Sequence, residues 1–293
     1  MKSVLSLLRG LLSVLLFSIN TVVWTLPLLV LHLLKLLIPR RGWRAPLGRA
    51  QNAIGTAWIA FNNLTLRVLN PVRWDVEGTE GLSCAEWYLV VANHRSWVDI
   101  LVLQKVFNRR IPFLKFFLKK ELFWVPVLGL AWWSLDYPFL ERSARGERDL
   151  DTIRRAADRF SLLPVSIMNF VEGTRFTPEK RAAQRSPYRH LLKPKAGGLA
   201  SILEAMEDRL HALLDVTIVY PGGTPTFWGL LRGGVGEVRV RVKALPLREI
   251  PQGDYRTDKT YRRAFGNWLK EMWSRKDDEI AALLGDPQKP GMS

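Results

Sequence analysis

A long uncharged run near the N-terminus places the strongest constraint on how this chain can fold. Between Arg9 and Lys35 lie 25 residues without a charge, most of them leucine or valine. As an α-helix this run would extend about 37 Å, enough to cross a hydrocarbon core of about 30 Å. It is too long for a cleaved signal peptide, and no A-x-A-like site follows it. The sequence therefore predicts a membrane anchor over residues 1–45.

Pro27, in the middle of the run, leaves two arrangements open: one spanning helix, or a helix-turn-helix that lies partly in one leaflet. His32 is predicted to be an interfacial, snorkelling side chain. Lys2 and Arg9 precede the run, and more basic residues follow it, at Lys35, Arg40, Arg41, Arg44 and Arg49. The positive-inside rule then places the bulk of the chain on the cytoplasmic side of an inner membrane.

The rest of the chain has the size and composition of one α/β domain. With 293 residues and a hydrophobic fraction of 48%, it can form a sizeable core. We expect this domain over residues 46–256, with a C-terminal helix and tail over 257–293. The net charge of +16 suits an anionic membrane, an anionic substrate or a nucleic acid. The basic residues form no nucleic-acid module, and twelve tryptophans favour the membrane.

The sequence predicts neither a disulfide framework nor a metal site. Cys84 is the single cysteine of the chain, so an internal disulfide is excluded. The histidines show no spacing typical of metal ligands, and CxxC and HExxH patterns are absent from the sequence. These histidines are His32, His94, His190 and His211.

The segment WYLVVA (Trp87–Ala92) predicts a buried strand, because it is short, apolar and rich in β-branched and aromatic residues. Asn93 and His94 follow it, at the strand end where open α/β sheets usually carry their sites. Positions five apart on a helix diverge by about 140°, so His94 and Asp99 meet only if the chain turns between them. Ser96, a helix N-cap candidate, supplies that turn.

His94 and Asp99 together suit general base catalysis. A neutral imidazole accepts a hydroxyl proton when a carboxylate holds its other nitrogen and stabilises the imidazolium. A serine or cysteine nucleophile is not needed if the substrate brings its own hydroxyl, and the sequence has no G-x-S-x-G elbow. The alternative is that Asp99 only caps a helix and that His94 is a loop histidine.

PVSIMNFVEGTRF (Pro164–Phe176) predicts a second strand, which runs through Val171 and breaks at Glu172 and Gly173. A glycine there lets backbone approach a ligand closely. Arg175 offers a planar fork of donors suited to a phosphate, and Glu172 is expected to orient this arginine or a substrate hydroxyl. The alternative is an ordinary strand-to-loop turn with a surface ion pair.

An NHxSxxD block followed by an EGTR block resembles the signature of the 1-acylglycerol-3-phosphate acyltransferases and their glycerolipid acyltransferase relatives. The resemblance covers roughly residues 74–221. It implies a mixed α/β sheet flanked by helices, with an N-terminal membrane helix or helical hairpin. His94 and Asp99 would be the catalytic pair. The third block would be part of the acceptor site and is matched by Glu172, Gly173, Thr174 and Arg175.

Two further blocks of this family have weaker matches. LDYPFLER resembles the second block, and Arg142 in it would help to hold the acceptor phosphate; it departs from the usual Asp-Arg ending by having Glu141 before Arg142. VTIVYP (Val216–Pro221) resembles the fourth block. KKELFWVPVLG is similar to a lysine-bearing segment of the family, with Lys119 at the matching position.

The resemblance implies transfer of a fatty acyl group from acyl-CoA or acyl carrier protein, as co-substrate and without a cofactor, to lysophosphatidic acid. Activated acyl thioesters occur on the cytoplasmic side. HLLKPKAGGL resembles the lysocardiolipin-type branch, so lysophosphatidylglycerol or lysocardiolipin is an alternative acceptor. An inactive membrane scaffold is the remaining hypothesis. A backbone amide after the first block is the expected oxyanion donor, with the Lys119 segment as the alternative.

Elsewhere the hydrophobic periodicity predicts further elements. We expect helices over residues 51–69, 145–160 and 259–284, and a strand around Trp74–Val76. GEVRVRVKAL (Gly236–Leu245) alternates apolar and charged residues, a pattern typical of a half-exposed edge strand.

Overall fold

A six-stranded mixed sheet forms the centre of the protein. The computed structural model describes residues 2–38, 41–140, 153, 155–156, 162–206 and 208–286. The strand order is β1-β8-β7-β2-β6-β3, with β7 and β8 antiparallel and the other neighbours parallel. The strands are β1 (Arg73–Glu77), β2 (Trp87–Ala92), β3 (Leu114–Phe116), β6 (Ser166–Asn169), β7 (Leu210–Val219) and β8 (Glu237–Pro246). β4 (Leu118–Lys119) and β5 (Phe139–Leu140) form a separate parallel pair. The predicted mixed α/β sheet is confirmed.

Helices cover both faces of the sheet, as the sequence predicts. They are α1 (Lys2–Leu37), α2 (Arg41–Leu69), α3 (Val98–Phe107), α4 (Leu128–Ser134), α5 (Pro178–Ala183), α6 (Ala196–Met206), α7 (Phe227–Leu231) and α8 (Lys259–Leu284), with short 3-10 turns at Lys120–Trp124 and Leu247–Glu249. Alternate residues of β2 enter different cores, because side chains along a strand point to opposite faces. Val90 packs in the core that contains residues of α1 to α4, and Val91 packs in the core that contains residues of α6 and α8.

Several local predictions are confirmed. The strand at Trp87–Ala92 and the C-terminal helix at Lys259–Leu284 have the predicted bounds. The carboxylate of Asp258 caps α8 at its start, and Gly285 ends it with a φ of 75°. Residues 51–69 are helical within α2, which begins earlier, so the expected domain boundary after residue 45 falls inside this helix. The predicted helix over 145–160 lies almost entirely outside the described residues.

The N-terminal segment forms a helical hairpin, but its turn is not at Pro27. α1 continues through Pro27, and the chain reverses after Leu37 into α2. Asn20 Nδ2 donates to Asn62 Oδ1 at 2.9 Å, and Asn70 Nδ2 donates to Ser13 Oγ at 2.9 Å. These contacts show that the two helices pack antiparallel to each other.

Two predictions about single elements are wrong. His32 is buried rather than interfacial: its Nδ1 lies 3.3 Å from the Ser134 carbonyl oxygen, and its ring centroid lies 4.1 Å from that of Trp133. β8 is not an edge strand, because it pairs with β1 as well as with β7. Its outward charges have partners on β1; Arg241 Nη2, for example, lies 2.9 Å from Asp75 Oδ2. An alternating charged strand can therefore lie inside a sheet when the next strand supplies opposite charges.

Candidate active site

Three parallel neighbours, β6, β2 and β7, end at the same edge of the sheet. His94 follows β2, Glu172 follows β6 and Tyr220 follows β7. This edge is where open α/β sheets bind ligands. The sheet order therefore brings together residues that lie up to 126 positions apart in the chain.

The structure brings His94 and Asp99 into contact, as the spacing predicts. His94 Nδ1 lies 2.8 Å from Asp99 Oδ2, and the Asp99 side chain is fully buried. The same oxygen accepts hydrogen bonds from the backbone N–H groups of Arg95 at 2.6 Å and Ser96 at 2.8 Å. Asp99 lies in the first turn of α3 and reaches back over the turn before it. With Nδ1 held by Asp99, Nε2 is the nitrogen left to accept a proton.

Ser96 supports this turn and is not placed as a nucleophile. Its hydroxyl donates to the Pro225 carbonyl oxygen at 2.6 Å and accepts from the Val98 N–H at 3.1 Å. Asn93, which directly precedes the histidine, binds the backbone of the neighbouring strand. Its amide donates to the Ile218 carbonyl oxygen at 2.9 Å and accepts from the Ile218 N–H at 2.8 Å, which ties the end of β2 to β7.

Two residues of the site were not predicted from the sequence. The Tyr220 hydroxyl donates to Asp99 Oδ1 at 2.6 Å, and the Phe170 ring stacks on His94 with centroids 3.9 Å apart. Burial, followed by the charge of Asp99, raises the pKa of Tyr220 well above its ordinary value, so this phenol remains a donor. Each residue directly follows a strand that neighbours β2. The match of VTIVYP to the fourth block, which ends in Tyr220 and Pro221, is the sequence feature that could have identified Tyr220 as a site residue.

Glu172 joins the two motif loops. It is fully buried, and its two carboxylate oxygens accept from the backbone N–H groups of His94 at 2.8 Å and Leu192 at 2.9 Å. Burial raises the pKa of Glu172 to about 7, although both hydrogen bonds and the nearby charge of Arg95 lower it. The carboxylate thus binds backbone, in place of the expected contact with Arg175 or a substrate hydroxyl.

The loop after Glu172 presents cations beside the histidine. Gly173 has a φ of 68°, and a Cβ built there would lie 3.3 Å from Lys195 Nζ, so the glycine leaves room for this lysine. Lys180 Nζ donates to Thr174 Oγ1 at 2.8 Å and steadies the loop. Arg175 is exposed, with its guanidinium carbon 5.0 Å from the centroid of the Trp97 ring.

The loop is held directly against the first motif. The backbone N–H of Phe176 donates to the His94 carbonyl oxygen at 2.7 Å. Arg175 is therefore adjacent to a residue bonded to the histidine, and its side chain leans toward Trp97 of the same motif. Arg175 thus belongs to a loop that is bonded directly to the backbone of the candidate base.

The last two predicted site residues are Lys119 and Arg142. Lys119 is exposed on β4 and pairs with Leu140, two positions before Arg142 in the sequence. Arg142 lies outside the described residues, as does Glu141. Inside the first block, the backbone amides of Arg95 and Ser96 bond to Asp99, and that of Val98 bonds to the Ser96 hydroxyl. The expectation of an oxyanion donor after this block stays a prediction.

The fold and the site together are those of an α/β transferase, with a histidine–aspartate pair bonded to a loop that carries an exposed arginine. The family model described as Acyltransferase matches residues 73–224, which include both motifs and β7, and the chain belongs to this family.

The chain is also similar to particular acyltransferases. It is 30% identical over 211 residues to 1-acyl-sn-glycerol-3-phosphate acyltransferase 3 from Arabidopsis thaliana, an alignment that covers 67% of this chain and 53% of the plant protein. It is 28% identical over 205 residues to 1-acyl-sn-glycerol-3-phosphate acyltransferase gamma from Mus musculus, covering 66% and 52%. The chain thus spans about half the length of these relatives.

A solved structure shares the fold. The crystal structure of the 1-acyl-sn-glycerophosphate (LPA) acyltransferase PlsC from Thermotoga maritima superposes with a TM-score of 0.58. The superposition covers 99% of this chain and 100% of that one, at 20% sequence identity. The likeness extends over the N-terminal hairpin as well as the sheet.

Proposed function

We propose that this protein is a membrane-bound acyltransferase that converts lysophosphatidic acid to phosphatidic acid, with acyl-CoA or acyl carrier protein as the acyl donor. The observation that carries the proposal is the buried His94–Asp99 contact with the Arg175 loop bonded to the backbone of the same histidine. The relatives named above, which carry out acyl transfer to this acceptor by name, support the choice of substrate.

The geometry supports direct transfer without an acyl-enzyme. His94 Nε2 removes the proton of the acceptor hydroxyl, and the oxygen attacks the thioester carbonyl. A C–O bond forms and the C–S bond breaks, after which the imidazolium returns its proton to the departing thiolate. Asp99 stabilises the imidazolium through Nδ1, and Tyr220 holds the carboxylate in place from its other oxygen.

Recognition of the acceptor rests on its phosphate. Arg175 supplies a planar pair of donors. Gly173 lies on the same loop, and the side chain of Lys195 packs against it. The phosphate monoester of lysophosphatidic acid carries more negative charge than the phosphodiester of a headgroup-bearing lysophospholipid. A cationic loop beside the base therefore favours the monoester.

The two ends of α1 support a position in one leaflet rather than across the bilayer. α1 is long and apolar enough to cross a membrane, and most of its apolar side chains are exposed. Near its start, a Cβ at Gly10 would lie 2.5 Å from the Trp228 ring of α7; near its end, His32 contacts Ser134 and Trp133 of α4. These contacts lie about 33 Å apart along the helix. Because both are with the catalytic domain, α1 runs along that domain with its free face toward lipid.

Acyl transfer in detergent tests the reaction. The purified protein is given radiolabelled oleoyl-CoA or oleoyl carrier protein with lysophosphatidic acid, lysophosphatidylglycerol or lysocardiolipin. We expect transfer to lysophosphatidic acid that disappears in His94→Ala and persists in His211→Ala, a control histidine whose side chain is 58% exposed. Preference for another acceptor would reassign the substrate. Absence of transfer from both donors would refute the enzyme and favour a scaffold.

Labelling with an impermeant maleimide tests the membrane arrangement. Cys84 is exposed and reports the side on which the catalytic domain lies. In sealed vesicles we expect a Ser3→Cys variant in a Cys84→Ser background to react from the same side as Cys84 does in the wild type. Reaction from the opposite side only would show that α1 spans the membrane.

A further inference from the structure

One face of the C-terminal helix holds a short segment of the chain, residues 188–192, in which Tyr188, Leu191 and Leu192 are buried. Trp273 Nε1 donates to the Leu192 carbonyl oxygen at 3.0 Å. The two oxygens of Asp277 accept from the backbone N–H groups of Arg189 and His190, each at 2.7 Å. Positions 273 and 277 are four apart, so they lie on the same face of α8. This helix lies beyond residues 73–224, which the family model matches.

The held segment leads directly to the candidate base. The Leu192 N–H donates to Glu172 Oε2, and the other oxygen of Glu172 accepts from the His94 N–H. The chain of contacts from α8 to His94 is therefore continuous: Asp277, the backbone of 189–192, Glu172 and His94. Each link is a hydrogen bond to backbone, which fixes main-chain position rather than a side-chain rotamer.

The two hydrogen bonds of Leu192, to Glu172 and to Trp273, are buried, and the other links are partly buried. Glu172, Leu192 and Trp273 are fully buried, and Asp277 is 7% exposed. A close-packed interior transmits a displacement, because its atoms have no free volume into which they can relax. A shift of segment 188–192 would thus move Glu172, and with it the backbone from which the His94 ring projects.

We propose that Asp277 is a positioning residue, which sets the place of His94 through segment 188–192 and Glu172. Only the kinetic test of this proposal rests on the proposed function. It assigns to the C-terminal helix a role in the geometry of the base, in addition to covering the sheet.

Asp277→Asn tests the proposal, with Asp278→Asn as the matched control because Asp278 is the exposed neighbour on the same helix. An amide presents an N–H₂ to one of the two backbone donors, so one link is lost. We expect kcat per folded molecule to fall about 10- to 100-fold with little change in KM for lysophosphatidic acid. The control should keep the wild-type kcat. A lower unfolding midpoint with unchanged kcat would overturn the proposal, because it would show a purely structural role.

A double-mutant cycle with Glu172→Gln identifies the route. If Asp277 acts through Glu172, Asp277→Asn lowers kcat much less in the Glu172→Gln background than in the wild type. Losses that multiply would refute the route. Trp273→Phe, which removes the indole donor and part of the ring volume but keeps an aromatic side chain, provides a second break in the same chain if Asp277→Asn does not fold. An unchanged kcat in this variant would also count against the proposal.

The rate at which diethyl pyrocarbonate modifies His94, followed by mass spectrometry, does not depend on acyl transfer. We expect Asp277→Asn to change this rate at His94 while the rate at His211 stays the same. Equal rates at His94 in the variant and the wild type would overturn the positioning role. If the wild type transfers no acyl group at all, the proposed function fails while this readout still decides the proposal.

Discussion

The buried carboxyl of Glu172 gives a measurable pH dependence of stability. Its pKa is about 7 in the folded protein, raised by burial from an ordinary value of 4.5. Between these two values the folded state binds more protons than the unfolded state, so the stability that protonated Glu172 contributes is lost as the pH rises toward and through 7. From pH 5 to pH 8 the two pKa values correspond to a loss of about 2.5 kcal/mol.

Glu172→Gln removes this titration while it keeps the shape of the side chain. At any pH the amide loses one of the two backbone hydrogen bonds, at a cost of about 1–3 kcal/mol. Relative to the wild type, however, the variant should gain about 2.5 kcal/mol between pH 5 and pH 8, because the ionised carboxylate no longer has to be buried. All other titrating groups are common to both proteins and cancel in the difference.

Thermal unfolding in detergent, followed by tryptophan fluorescence, measures this difference. At about 2–4 °C per kcal/mol, the gap between the unfolding midpoints of the two proteins should change by about 5–10 °C from pH 5 to pH 8. Glu179→Gln, on the exposed first turn of α5, serves as the control for a lost surface charge. A gap that stays constant over this range would refute the reasoning. It would mean that the two backbone donors and Arg95 keep Glu172 ionised throughout.

Three further substitutions test the site and its support. Asp99→Asn should fold and should lower kcat for oleoyl transfer about 10³- to 10⁴-fold, because the amide cannot stabilise the His94 imidazolium. An activity near that of the wild type would show that the pair is not catalytic. Tyr220→Phe removes one hydrogen-bond donor to the buried Asp99 and should lower the free energy of unfolding by about 1–3 kcal/mol, measured by thermal or urea unfolding. An unchanged free energy of unfolding would show that another group replaces the phenol. Lys276→Met leaves Asp215, 2.6 Å from the lysine nitrogen, as an unpaired buried charge and should cost about 3–5 kcal/mol. Adding Asp215→Asn should recover part of that loss, and a double variant no more stable than Lys276→Met would contradict this account.

The contact between His94 and Asp99 could be predicted because it depends on a short segment of the sequence. The strand at Trp87–Ala92 and the turn before Asp99 depend on residues only a few positions apart, so a period of two and a helix cap were sufficient to predict the His94–Asp99 contact. The C-terminal helix was predicted with its bounds for the same reason, since its cap at Asp258 and its end at Gly285 are local signals.

The partners of these residues could not be predicted in this way. Tyr220 and Phe170 reach Asp99 and His94 because β6, β2 and β7 lie side by side, and strand order is set by burial over the whole sheet. Leu192 reaches Glu172 from the segment between α5 and α6. Glu172 illustrates the difference. Its place in a motif suggested contact with a ligand, whereas the fold buries it between two backbone segments.

The sequence by itself therefore determined the class of the fold, the apolar N-terminal segment and the contact between His94 and Asp99, because each depends on periodicity or spacing within a few turns of chain. Only the tertiary structure decided where the hairpin turns, that β8 lies inside the sheet, and which groups hold His94 in place. These features depend on contacts between residues that lie far apart in the chain, from 42 positions for Asn20 and Asn62 to 166 for Asp75 and Arg241. The free energy that stabilises these contacts comes from packing between segments that are distant in the sequence. A pattern within one segment therefore does not predict them.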